Sequence, residues 1–523
     1  MKKNYFSFFI GLFIFSLNTI AQCDTTVVNG DMIVSSPTFL SGVYEISGDF
    51  QVLPGVTVFV QTHELGGCGM VQINAENIRI DGFINGDFAG YAGGTGGAPG
   101  TAVTSLTGDG IAINDCSNKD NTGQLTVQGG EAGMMGFGPG AGLAGANGQN
   151  GSGPKQQCLS LDDEAGMIGG SGGAGGGAGG SYGGQGSIGG TGGAGTNGYQ
   201  TTGLNVSTGF PVVGGNGGNG GNAASIYGTQ MGEDIQLGSG GGGAGGGGRS
   251  YDSGLGGSNG GNGGGLVILV ASDSLIVTGT ISVTGENGST GGNGGNGGAS
   301  PKCCSDGCDD CGEATLSTGS GGGSGSGGGS GGGILLKSDL FASITGNLSA
   351  EGGNSGTGGQ RGTGVSCNYD ELFCGTQSIT SGNGNPGSDG GAGGGGRIKV
   401  FVPICSQSTV QPILSLNGGT GVVSATIGTY FVGCSELSLS ELATEMKVNL
   451  FPNPASESLF ISIDGQQKVD LNISDLSGRI VYSTTTELSE TPFSIDLNEL
   501  NSGTYLLLLH TNGHTIVKQF IRL

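Results

Sequence analysis

Histidine is the scarcest residue that could do acid–base chemistry here, with three in 523 residues. His63 stands near the first strands, and His510 and His514 flank a C-terminal hairpin, so a Ser-His-Asp site would rest on His63 alone. The pattern G-x-S-x-G occurs at Gly169–Gly173 and at Gly256–Gly260. Neither copy follows a strand and opens a helix, as a nucleophile elbow must. The G-x-G-x-x-G matches lack a βαβ unit, and there is no G-x-x-x-x-G-K-[ST] phosphate loop. Arg79 and Asp81 share one strand face by period two, whereas Glu76 precedes the strand that carries them. A salt bridge accounts for that pair. Hard cations need clustered oxygens, which Asp162, Asp163 and Glu164, or Asp306, Asp309, Asp310 and Glu313, could offer. The glycine blocks lack the regular aspartate of calcium-binding rolls, so these are read as solvated loop acids. No catalytic residue, cofactor or metal ligand is expected.

The 12 cysteines fall in even local groups. They are Cys23 and Cys68; Cys116 and Cys158; Cys303, Cys304, Cys308 and Cys311; Cys367 and Cys374; Cys405 and Cys434. In an exported chain this predicts disulfide staples within neighbouring loops. The C-C-x3-C-x2-C spacing of the third group would also suit zinc, and its pairing is open.

Export itself is written at the N-terminus. Lys2 and Lys3, the apolar run of residues 5–17 and the small residues Thr19 and Ala21 have the three-part grammar of a signal peptide spanning 1–21. Gln22 is a poor residue before an acylated cysteine, so a lipoprotein anchor at Cys23 is set aside. No later stretch has the roughly 20 apolar residues of a spanning helix. The formal net charge of −24 repels nucleic acid and anionic lipid.

The positioning elements are β throughout. Residues 24–84 read as short strands, and one phrase recurs at 69–86, 265–288, 333–353 and 396–419: apolar strand, polar turn, second strand, glycine. A weaker copy is read at 123–130. A unit of this kind cannot bury its apolar face alone, so the units should stack as a solenoid, a right-handed parallel β-helix being the simplest form. The passenger, residues 22–436, resembles glycine-rich bacterial surface β-helix proteins.

Between these units lie the blocks at 169–195, 214–222, 238–248, 291–298 and 319–333, which supply much of the chain's 125 glycines. Their GGN and GGX triplets hold a three-residue register, the period of polyproline II. Two bare glycine edges per helix would let neighbours approach and hydrogen-bond into a bundle. The alternative is a set of flexible loops, given the conformational entropy of glycine.

After a linker at 437–444 the composition becomes ordinary. Residues 445–523 read as seven short strands, with turns at Ser477-Gly478 and Asn512-Gly513, and predict an immunoglobulin-like β-sandwich. Pro452, Asn453 and Pro454, then Asp475, Gly478 and Arg479, then Gly503, Tyr505 and Lys518, follow in the order of the type IX secretion sorting domain of Bacteroidota, which this region resembles. The resemblance implies passage through a dedicated outer-membrane translocon, removal of the domain and attachment to surface lipopolysaccharide. The chain is therefore expected at the cell surface or beyond. Its passenger is read as a non-enzymatic structural or adhesive protein for a glycan or host surface. The alternatives are a polysaccharide lyase or hydrolase, and an ice-binding protein, which ordered Thr or Asn rows would favour.

Overall fold

The computed structural model describes residues 23–63, 68–103, 124–154, 169–198, 212–298, 317–371, 375–403, 407–434, 448–463, 467–475, 479–511 and 514–523. The signal peptide, the linker, both acidic loop groups, Gly478, Asn512, Gly513 and cysteines 116, 158, 303, 304, 308, 311, 374 and 405 lie outside them, as does the side chain of Cys367. The chain divides into two compact units, residues 1–436 and 437–523.

The first unit is a parallel solenoid. Met70–Ile80 pairs in parallel with Leu266–Val277, which pairs with Gly333–Ser338 and Phe341–Ile344. Arg397–Val402 and Thr429–Cys434 continue the same 11-stranded sheet. A 6-stranded sheet of short strands, including Phe83–Asn85, Thr280–Ser282 and Asn347–Ser349, forms a second wall. Register stacks like on like: Ile73, Leu269, Leu336 and Val400 form one column, and Ile84, Ile281 and Leu348 another. All seven are at most 1% exposed. Each such side chain contributes roughly 1.5–3 kcal/mol on burial, so the stacked columns supply the apolar core that no single unit has.

Two expectations change. The polar turn within each unit is no turn in the first two copies, because Met70–Ile80 and Leu266–Val277 each run unbroken. A register shift between Ala271 and Ser274 absorbs the polar residues as a bulge, so Glu76 lies on the same strand as Arg79, and Asp81 follows directly after its end. The weak copy at 123–130 is not a rung either: Gln124–Val127 pairs antiparallel with Ala102–Val103 and Gly151–Pro154. Its single short apolar alternation has no second strand to close a coil.

The glycine blocks are ordered. Along residues 171–179, successive backbone N–H groups go to three different neighbours in rotation. Ser171, Ala174 and Gly177 donate to the carbonyls of Arg249, Gly246 and Gly243. Gly172, Gly175 and Ala178 donate to Gln149, Ala146 and Leu143; Gly173, Gly176 and Gly179 donate to Gly193, Gly190 and Ser187. These bonds are 2.9–3.0 Å long. A donor that returns to the same neighbour every third residue is the signature of a threefold helix, which is polyproline II geometry built from glycine. Carbonyls of the same segment accept from Gly218 and Gly221 and from Gly321 and Ser324, so it is held on two further sides.

Glycine is required sterically here. A Cβ on Gly173 would lie 2.1 Å from the carbonyl oxygen of Gly322, and one on Gly217 would lie 1.8 Å from that of Gly192. Buried serines are paired within it: Ser320 Oγ donates to the Gly248 carbonyl at 2.7 Å, and Ser171 Oγ to that of Gln128 at 2.7 Å. This second core is made of hydrogen bonds rather than apolar surface. It offsets glycine's entropy because nearly every donor is satisfied at close range.

The second unit is a pair of antiparallel sheets. Val448–Phe451, Ser458–Ile463 and Phe493–Asp496 form one; Ile480–Leu488, Gln467–Asp475, Gly503–Thr511 and His514–Arg522 form the other. Leu459, Ile461, Leu471, Ile473, Leu507 and Phe520 fill the space between them. No α-helix occurs among the described residues.

Candidate functional site

Three regions carry polar or aromatic groups in ordered arrangements. The first is the outer layer of the glycine bundle. Where a helix has no backbone neighbour on its solvent side, an asparagine side chain supplies the missing acceptor. Asn287 Oδ1 accepts from the Asn354 N–H at 2.8 Å, Asn293 Oδ1 from Gln360 at 2.9 Å, and Asn296 Oδ1 from Thr363 at 3.0 Å. Asn354 serves Thr420 in the same way at 2.8 Å. The hydroxyls of Thr363 and Thr420 bond the same oxygens. Because helix positions three apart share an edge, Asn287, Thr290, Asn293 and Asn296 form an exposed row, and Asn354, Thr357, Gln360 and Thr363 form the next. The GGN triplets of the sequence are thus edge positions of the bundle.

The second region is a strap, residues 223–237, lying over the outer face of the large parallel sheet. Period two places Arg397, Lys399 and Phe401 on that face. Lys399, 1% exposed, donates to Asp234 Oδ1 at 2.9 Å and to the Asp234 carbonyl. Arg397 donates to the carbonyls of Tyr227 and Gly228 and lies 5.4 Å from the ring centre of Tyr182. Partial burial works against ionisation of Asp234, but hydrogen bonds from Thr229 and the Lys399 charge overcome it and bring its pKa to about 2. Burial pushes the phenols of Tyr182 and Tyr227 above their ordinary range. Beside the strap, Lys337 pairs with Glu233 at 2.7 Å over a cavity of about 610 Å³ lined by Asp339, Phe401 and Phe431. A second, of about 590 Å³, adjoins at Asp339 and reaches Glu45, Glu76 and Asp273.

The third is the motif set of the second unit. Asn453 acts as a two-point clamp on the last strand, its Nδ2 donating to the Gln519 carbonyl at 3.1 Å and its Oδ1 accepting from Ile521 N–H at 3.0 Å. Pro452 and Pro454 flank it, both after cis peptide bonds, and Ala455 bridges to Arg522. Arg479 donates to Asp475 through Nε to Oδ2 at 3.1 Å and through its N–H to Oδ1 at 3.1 Å. Tyr505, 8% exposed, donates to the Asn501 carbonyl at 2.9 Å and stacks on Phe520. Gly503 opens its strand with room for a side chain, and Lys518 faces solvent opposite Leu507.

The remaining candidates resolve simply. Arg79 and Asp81 pair at 2.7 Å. Burial opposes ionisation of Asp81, but bonds from Arg79 and Thr278 hold its pKa below the ordinary value. His63 packs against Tyr91. Ser171, the serine of the first G-x-S-x-G, is buried in the bundle. Cys23 is bonded to Cys68, which leaves it no thiol to acylate, and Cys434 is also disulfide-bonded. Among the described residues no His, Cys, Asp and Glu group could hold a metal ion. Among the same residues no helix is long and apolar enough to cross a membrane.

A solenoid passenger followed by a small β-sandwich with this motif set defines an exported two-unit surface protein. Residues 449–522 match the secretion system C-terminal sorting domain. The chain is accordingly a type IX secretion cargo, addressed to the cell surface or the medium by this domain. No curated protein matches the chain. Among solved structures, the endo-beta-1,4-mannanase from Thermotoga petrophila is similar at 12% identity over 24% of this chain, with a TM-score of 0.12. The match spans 38% of that enzyme's length, and a likeness this slight carries no argument.

Proposed function

We propose that the passenger is a non-catalytic structural and adhesive body displayed outside the cell. The supporting observation is the hydrogen-bonded glycine bundle, which makes a stiff block with broad regular faces from segments that would otherwise be loops. Its partners in this reading are the type IX machinery in transit, surface lipopolysaccharide as anchor, and a glycan or host surface as target. Cells carrying the gene should adhere to glycan-coated surfaces better than a deletion strain, and purified protein should release no reducing or unsaturated ends from bacterial, algal or plant polysaccharides. Such products would favour the lyase or hydrolase reading instead.

The Asn and Thr rows favour one second reading, ice binding, because an uncharged face with fixed hydroxyls and amides is pre-organised to order water. Thermal hysteresis in the purified passenger would support it. Freezing behaviour equal to that of albumin at the same concentration would remove it.

A further inference from the structure

The two cavities on the outer face of the parallel sheet share one lining residue, Asp339, and are taken together as one trough. Its lining comes from Gly42–Ile46, Met70–Ile80, Leu266–Val277, Gly333–Ser338, Arg397–Val402 and Thr429–Cys434 or the residues just after them, which are successive neighbours in the sheet. The trough therefore runs along the solenoid axis, advancing about 4.8 Å per strand. We propose that it binds a linear neutral polysaccharide lying along that axis, which gives the adhesive reading a site and a ligand class and rests on that reading.

The two ends of the trough offer complementary halves of carbohydrate recognition. At one end Phe401 and Phe431 stand half-buried with ring centres 5.8 Å apart and planes tilted by 56°, an apolar corner against which one face of a sugar ring can pack. Along the rest, consecutive rungs present Glu76, Asp273 and Asp339, whose carboxylates accept no hydrogen bond among the described residues. Carboxylates bond hydroxyl donors more strongly than neutral acceptors do. One carboxylate per rung repeats at a spacing close to one pyranose residue of an extended chain. Lys337, already held by Glu233, is the single cation in the lining. Uronate, sulfated and phosphate-bearing polymers are therefore repelled.

The test uses the secreted full chain in affinity electrophoresis against soluble linear β-glucan, mannan and xylan, with polygalacturonate and poly-lysine as charged controls. Asp339→Asn and Phe431→Ala both lie at the surface of the trough, and each variant's melting temperature is compared with that of the parent. We expect at least one neutral polysaccharide to retard the parent and polygalacturonate not to. Either substitution should weaken that binding about tenfold with melting unchanged. The proposal is overturned if no neutral polymer binds, if neither folded variant loses affinity, or if only poly-lysine is retained. Cell adhesion measured in parallel separates the two levels: binding lost in the variants while adhesion is unchanged keeps the site but removes it as the basis of adhesion.

Discussion

The side-chain oxygen of Asn287 accepts a hydrogen bond from the backbone N–H of Asn354 at 2.8 Å, and Asn354, 67 residues further on, repeats the act for Thr420. One solenoid rung later, the same residue type completes the same unfinished edge. This ladder joins the bundle to the β-coil, because its spacing equals the rung length that the strands set.

Replacing Asn354 by alanine should remove the acceptor for both the N–H and the hydroxyl of Thr420, at about 0.5–1.5 kcal/mol for the exposed site. Asn354→Asp keeps the acceptor and should lose less. Thermal melting of both variants, with amide exchange at Thr420, checks the order.

Gly173→Ala puts a methyl 2.1 Å from the Gly322 carbonyl oxygen, against rigid backbone. The helices must part, at about 1–3 kcal/mol. Faster exchange at Gly173 and Gly322 should accompany the loss, whereas a Gly→Ala change at the exposed Gly256, where a Cβ meets nothing nearer than 3.3 Å, should be mild.

Asp234 carries a pH dependence of defined sign. Its folded pKa of about 2 lies below the ordinary 3.8, so its contribution is complete above about pH 4 and is lost as pH falls towards 2. The strap should loosen over that interval while the β-coil persists, seen as proteolytic nicking within 223–237. Asp234→Asn should nick equally at pH 7 and abolish the acid step.

In the second unit, Asn453→Ala cuts both clamps on the last strand and should cost about 1–2 kcal/mol, measured by chemical unfolding of residues 445–523. Deleting those residues should trap the passenger in the periplasm. Undiminished surface display would contradict the sorting role.

The strand units, the parallel stacking and all seven strands of the second unit were legible because alternation and turn residues are local signals. Two features were less so. Whether GGX register means order depends on neighbours distant in sequence, since Gly173 is fixed by Gly193 and Gly322, and no local pattern states that they meet. Arg397, Lys399 and Phe401, which share one strand face by period two, were not singled out in the sequence. Their meaning came from a strap more than 160 residues earlier, and an isolated strand gives no sign that a lysine will be buried there. The unbroken strands at 70–80 and 266–277 were misread as strand, turn, strand because a bulge and a turn use the same polar residues.

The most direct test is amide hydrogen exchange, resolved by peptide, across residues 169–198, 238–248 and 319–333 of the secreted protein. Order in these glycine blocks predicts protection comparable to that of Leu266–Val277. Exchange at the rate of an unstructured chain would contradict the bundle, and with it the reading of the passenger as a rigid displayed body.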